Sequence, residues 1–188
     1  MVDVLLASAS QRRAAMLEQR GFFVNQQPLR APERPHGHGL SIPEQVRNTL
    51  DGKIESALRE FSEPLIVVAD TLVEDPDDPL QPLGQPRDRH EALTMLLRLS
   101  GRNHRVWTGT ALIQNGVVTT WLDSSTVAID ILEDRVLEGL IVSDSWRGKA
   151  GGYDFAGAMG QFSSIVEGSE ETVLGFTPQL FTNLESIM

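Results

Sequence analysis

A chain of 188 residues that is 40% hydrophobic and 22% charged has the make-up of one ordinary globular domain with a sizeable core. No apolar run approaches the ~20 residues that span a bilayer, and 16 basic against 26 acidic residues leave a net charge of −10, which repels a polynucleotide backbone and confines any anionic ligand to a local basic pocket. Cysteine is absent, which removes disulfides and thiol chemistry. The N-terminus lacks a basic start, a long apolar stretch and a small-residue cleavage site, so a cytoplasmic location is expected.

Strand and helix patterns alternate along the chain. Residues 2–7 read as a strand on Val2, Val4, Leu5 and Leu6, within the segment LLASASQRR at 5–13. Residues 10–20 read as a helix with Ser10 as N-cap, because its hydroxyl can accept from free amides of the first turn. Arg12 and Arg13 then fall at the positive end of the helix dipole, where Asp or Glu would be better by ~0.3–1 kcal/mol each. Two readings stay open here. An anion docks at this helix start, met by amides, hydroxyls and guanidinium groups, or the arginines point into solvent. Gly21 ends the helix and a short strand covers 22–26. Prolines, glycines and the pair His36 and His38 break any period from 27 to 43, which reads as a long loop without a dedicated metal site.

Residues 44–61 read as a helix with Val46, Leu50, Ile54, Ala57 and Leu58 on its apolar face. Lys53 on this helix faces either a pocket or water. LIVVA at 65–69 is a short buried strand ending at Asp70, and strand carboxyl ends are common ligand positions in α/β folds. Asp70 either binds a divalent metal or orients a water as general base, or it is a turn aspartate accepting from nearby amides. Residues 75–86 read as a second proline-rich loop with Asp75, Asp77 and Asp78 at a solvated tip. A helix over 88–99 ends at Gly101. Two strands fill 104–129, joined at Asn115-Gly116, with His104 capping or packing at the start. A short helix at 132–143, a glycine-rich segment at 148–160, a strand at 161–166 and a C-terminal helix complete the chain. In RGKAGGYDFAGAMG, at 147–160, the glycines let backbone approach a ligand and Lys149 adds a compact positive charge. The lysine precedes the glycines and no Ser or Thr follows it, so this is no Walker loop; the alternative is a plain turn.

Taken in order, these segments resemble the Maf family of nucleoside triphosphate pyrophosphatases. The likeness runs from LASASQRR through Glu33, Lys53, ADT at 69–71 and LSGRNHRVWTG at 99–109, then GKAGGYDFAG at 148–157 and EGSEETVLGFTP at 167–178. It spans nearly the whole chain and implies a single domain over residues 1–188. The implied fold is a mixed, twisted α/β sheet flanked by helices, similar to the inosine-triphosphate pyrophosphatases, with a central cleft. The implied reaction is hydrolysis of a nucleoside triphosphate to the monophosphate and diphosphate, assisted by a divalent cation, Mg or Mn. ADT and KAGGY lean towards the branch acting on dTTP and UTP, with a modified nucleotide as the other expected substrate. By resemblance, Asp70 is the catalytic carboxylate that activates water or holds the metal. Ser8, Ser10, Arg12, Arg13, Lys53 and Lys149 surround the triphosphate, and Glu33 lies near the metal or base. The expected partner is a small nucleotide, with no polynucleotide and no membrane; family members are often dimers, so a homodimer is an expected state.

Several positions depart from the family pattern. Gln11 replaces the proline of S-x-S-P-R-R. Gln85 stands for the lysine of G-K-P, Ala156 for a glutamine after the G-Y segment, and Thr172 for an asparagine. Losing a charge-assisted phosphate contact costs ~1.5–3 kcal/mol. The alternative reading is therefore a weak or inactive nucleotide-binding regulatory protein.

Overall fold

The computed structural model of the chain describes residues 2–30 and 39–187. Glu33, His36 and His38 lie outside the described residues. The elements are β1 (Asp3–Leu6), α1 (Gln11–Glu18), β2 (Phe23–Gln26), α2 (Ile42–Glu60), β3 (Leu65–Asp75), β4 (Asp78–Leu83), α3 (Arg89–Leu99), β5 (Asn103–Gln114), β6 (Val117–Ile129), α4 (Asp134–Val142), β7 (Ser163–Glu167), α5 (Glu170–Leu174) and α6 (Pro178–Glu185). Seven strands form one sheet in the order β2-β1-β3-β5-β6-β7, with β4 paired to β3. β1 runs parallel to β2 and β3, and the other pairs are antiparallel. No helix among the described residues is long and apolar enough to cross a membrane.

Side-chain parity along β3 sorts the core. Leu65, Val67 and Ala69 pack with Leu17 of α1 and Leu180 and Leu184 of α6. Ile66 and Val68 pack on the opposite face, with Leu50, Ile54 and Ala57 of α2, and Leu72 joins Ile42 and Val46 on that face. Each Leu, Ile or Val among them contributes about 1.5–3 kcal/mol on full burial. A third cluster joins α3, α4 and the ends of β5 and β6 around Leu96, Val106, Val127, Leu137 and Tyr153. Helix α2 approaches the sheet closely because β5 offers Gly109 beneath it. A Cβ there would lie 2.9 Å from Val46 Cγ1 and 3.1 Å from Leu50 Cδ2.

The structure corrects four sequence expectations. The strand expected at 65–69 runs on to Asp75, because β5 pairs with it from Leu65 through Val73. The expected loop at 75–86 is instead largely a hairpin arm. Its prolines are tolerated because β4 pairs with β3 alone among the described strands, which leaves its other edge outside any ladder. Asp75 is no solvated tip residue: it is buried and ion-paired with Arg98, and Asp77 pairs with Arg102 at 2.6 Å. The C-terminal helix is two helices broken at Gly175, whose φ of 111° is open to glycine and strained for other residues. Helix α2 also begins two residues earlier than its pattern suggests, with Pro43 inside its first turn, where a missing amide donor costs nothing.

Candidate active site

β1 and β4 share one edge of β3 but meet different parts of it. β1 pairs with Ile66 and Val67, and β4 pairs from Val73 onward. Residues 68–72 on that edge are paired by neither, while β5 holds the opposite edge throughout. A cavity of about 490 Å³ opens at this notch. Ser8, Ser10, Arg12 and Arg13 line it from the β1–α1 junction, and Lys53 reaches it from α2. Asp70 and Thr71 supply the floor from β3; Gln85, Gly148 and Ala150 close the far side. Asp70 is thus not at the end of its strand, as the sequence suggested. It sits mid-strand, where the pairing of β1 has stopped.

Parity points Asp70 towards α2, on the face of Ile66, Val68 and Leu72. Lys53 lies one turn beyond Leu50, so its ammonium reaches the carboxylate: Nζ donates to Asp70 Oδ1 at 2.7 Å. The two side chains are only 14% and 8% exposed. Asp70 Oδ2 is buried and has no hydrogen-bond partner among the described residues. A buried acceptor without a donor carries a desolvation penalty of ~1–3 kcal/mol or more, so this oxygen is poised for a water or a cation. Among the described residues no group of three or more His, Cys, Asp or Glu can hold a metal ion. The single carboxylate oxygen left open at Asp70 could hold only a cation that brings most of its other ligands with it.

The helix start is built as the sequence pattern predicts. Ser10 caps α1, its Oγ accepting from Arg13 N at 3.4 Å, and Ser8 Oγ accepts from Ser10 N at 3.2 Å. Arg13 does not point into solvent. Its guanidinium donates to Gly175 O (2.9 Å), Ser8 Oγ (3.3 Å), Ala69 O (3.2 Å) and Thr71 Oγ1 (3.0 Å). It thereby satisfies a carbonyl of the unpaired β3 edge and ties α1 to the α5–α6 junction. Gly175 makes room, since a Cβ there would lie 2.9 Å from Arg13 Nε. A directed chain continues inward. Thr108 Oγ1 donates to Thr172 O at 2.7 Å, so the 2.8 Å contact between Thr71 and Thr108 has Thr71 donating. Arg12 Nε donates to Leu174 O at 2.8 Å, and burial pulls its guanidinium below the ordinary value, with Asp154 acting in the opposite direction.

Lys149 sits between the lining residues Gly148 and Ala150; its Nζ lies 3.7 Å from Asp154 Oδ2, and Arg12 Nη1 lies 3.9 Å from Asp154 Oδ1. Asp154 had no functional reading in the sequence. Its only signal there was an acidic residue inside a glycine-rich segment. Thr71, Gly109 and Gly175 likewise lie inside ADT, LSGRNHRVWTG and EGSEETVLGFTP with no local signal of their own. Of the departures from the family pattern, Gln85 lines the cavity, whereas Ala156 and Thr172 do not. Thr172 is buried in α5, hydrogen-bonded to Ser169 and Asp123. His104 lies in the core with Nε2 2.8 Å from the Tyr153 hydroxyl. Burial pushes its pKa down to about 4 and pushes the Tyr153 phenol up.

A mixed α/β sheet notched at a buried carboxylate, with Arg12, Arg13 and Lys53 lining the notch in a chain of net charge −10, concentrates positive charge where a small polyanion fits. The chain belongs to the Maf-like protein family, whose model matches residues 3–186. It is 35% identical over 175 residues to a dTTP/UTP pyrophosphatase of Zymomonas mobilis, covering 92% of this chain and 85% of the relative. The protein of the same description from Caulobacter vibrioides is 34% identical, over 92% of this chain and 88% of the relative. That from Pyrococcus horikoshii is 30% identical, over 98% and 96%. Among solved structures, a nucleoside-triphosphatase described as a dITP/XTP pyrophosphatase from Mycobacterium abscessus is similar at a TM-score of 0.45, with 15% identity, covering 99% of this chain and 95% of that one.

Proposed function

We propose that this chain hydrolyses a pyrimidine nucleoside triphosphate, dTTP or UTP, to the monophosphate and diphosphate. The carrying observation is the divided state of Asp70: one oxygen is held by Lys53, and the other is buried at the notch, without a partner among the described residues. With Oδ1 occupied, Oδ2 is the atom that takes a proton from water. The water oxygen forms a bond to the α-phosphorus as the bond from that phosphorus to the bridging oxygen breaks, and the electron pair leaves with diphosphate. Arg12 and Lys149 meet the departing charge, because negative charge developing on phosphate oxygens needs fixed positive partners. Arg13 acts through its neighbours, keeping Ser8 and Thr71 in place along the triphosphate. A divalent cation arriving with the phosphates would be held by Asp70 Oδ2 in place of its role as base, with Glu33 as the expected second carboxylate, and would supply charge neutralisation. The relatives named dTTP/UTP pyrophosphatases support the choice of base.

The test is diphosphate release from a panel of standard, deaminated and modified nucleoside triphosphates, with Mg and with Mn, against Asp70→Asn. Release from dTTP and UTP that needs metal and falls by roughly 10²–10⁴ in the variant is expected, the usual contribution of a positioned base. Unchanged turnover in Asp70→Asn removes Asp70 from the reaction. A folded protein that binds but turns over nothing becomes a nucleotide-binding protein. The neutral Gln85 in the cavity wall favours that second reading.

A further inference from the structure

Asp154 lies behind the cavity lining, ion-paired with the lining residue Arg12 and with Lys149, and the proposed reaction has no use for it. Its carboxylate stands between Arg12 Nη1, at 3.9 Å, and Lys149 Nζ, at 3.7 Å. The three side chains have almost equal exposure, 23%, 24% and 24%. The position is built rather than incidental. Gly157 and Met159 both donate their amides to the Asp154 carbonyl at 3.1 Å, folding the turn over this residue. A Cβ at Gly157 would lie 2.6 Å from Asp154 Oδ2 and 3.0 Å from its Cγ, so only glycine leaves the carboxylate its seat. The turn itself is pinned to the cavity wall, where Gly151 N donates to Gly84 O at 3.0 Å, next to Gln85.

Both ion-pair distances exceed the 2.7–2.9 Å of a direct charge-assisted hydrogen bond. Asp154 therefore neutralises the two cations without saturating their donors. A phosphate oxygen can reach the same donors at full hydrogen-bond distance and take them over. We propose that Asp154 is an internal counter-anion of the phosphate site, occupying Arg12 and Lys149 in the free protein and giving them up to a phosphate ligand. Every anion that uses the pair must first displace it, so the diphosphate product is held weakly and leaves. A competing role exists, in which Asp154 merely orients the cations for their ligand. The two roles have opposite signs: removing a counter-anion tightens anion binding, and removing an orienting group weakens it.

The inference rests on the pyrophosphatase reading only for the identity of the product. Its test is calorimetric titration of inorganic diphosphate into the wild type, Asp154→Asn and Asp154→Glu, in parallel with KM for dTTP. Asp154→Asn is expected to bind diphosphate roughly tenfold tighter, between the water and protein-surface limits for one unit charge at about 4 Å, and to lower KM. Asp154→Glu, which keeps the charge, is expected to stay within about threefold of wild type on the same scale. Equal or weaker diphosphate binding by Asp154→Asn overturns the proposal, as does equal tightening in Asp154→Glu. Should the Asn variant fold poorly, Asp154→Ser carries the same expectation. The titration needs no turnover, so a chain that hydrolyses no nucleotide can still pass it, and one that turns over dTTP can fail it.

Discussion

Lys53 and Asp70 come from different layers of the fold, helix α2 and strand β3, and meet with Nζ 2.7 Å from Oδ1 while Oδ2 has no partner among the described residues. Two chain segments that share no hydrogen-bond ladder thus fix one proton donor against one carboxylate oxygen. The contact is nearly dry, so the Asp70 charge depends on Lys53 for compensation.

That dependence gives the first prediction. Lys53→Met leaves the Asp70 carboxylate buried without its cation and is expected to cost on the order of 3–5 kcal/mol of stability, as breaking a buried pair from one side does. Replacing both partners, Lys53→Met with Asp70→Leu, is expected to recover most of that loss, although it abolishes turnover. Urea denaturation of the two variants and the wild type measures both quantities. A double variant as unstable as the single one would show that the pair is not the source of the loss.

The second prediction concerns the floor beneath α2. Gly109→Ala introduces a Cβ 2.9 Å from Val46 Cγ1, and a rigid helix can relieve that only by moving outward. A cost of about 1–3 kcal/mol is expected, typical of overpacking. Turnover is expected to fall by up to ~10²-fold as Lys53 is carried away from Asp70, since displacements of about 1 Å suffice for that. Adding Val46→Ala should restore part of both stability and rate. Turnover unaffected by Gly109→Ala would mean that Lys53 reaches Asp70 independently of the depth of α2.

The third prediction is a pH dependence of folding. His104 has a folded pKa near 4 against an ordinary value of 6.5, through burial. Below 6.5 the unfolded chain protonates this ring and the folded chain does not. Its share of stability is therefore complete above about pH 6.5 and is lost as pH falls towards 4, about 3 kcal/mol over that window. His104→Phe has no such proton to take up, so its stability is expected to decline less between pH 7 and pH 4.5 in denaturant titrations. Equal declines in the two proteins would place the acid sensitivity elsewhere.

Much of this arrangement is readable in the residues themselves. The N-cap at Ser10, the turn at Asn115-Gly116 and the apolar face of α2 depend on neighbours close in sequence, and the structure contains all three. The orientation of Arg13 was not readable, because its partners Ala69, Thr71 and Gly175 lie 56 or more residues away. The same holds for β4. Its prolines argue for a loop until β3 is known to offer it a single edge. Asp154 illustrates a third limit: its meaning comes from two cations on different turns and from the space left by Gly157.

An unpaired stretch of strand is ordinarily a hazard, because its open amides and carbonyls template the addition of a foreign strand. Here the stretch lies inside the sheet, with the end of β1 on one side and the end of β4 on the other. Only residues 68–72 separate the two pairings, about the length of an average strand, and Arg13 already holds the Ala69 carbonyl. An incoming chain would have to enter between two strand ends and evict a guanidinium. The protein can thus keep backbone and carboxylate accessible to a small ligand while denying the same opening to aggregation.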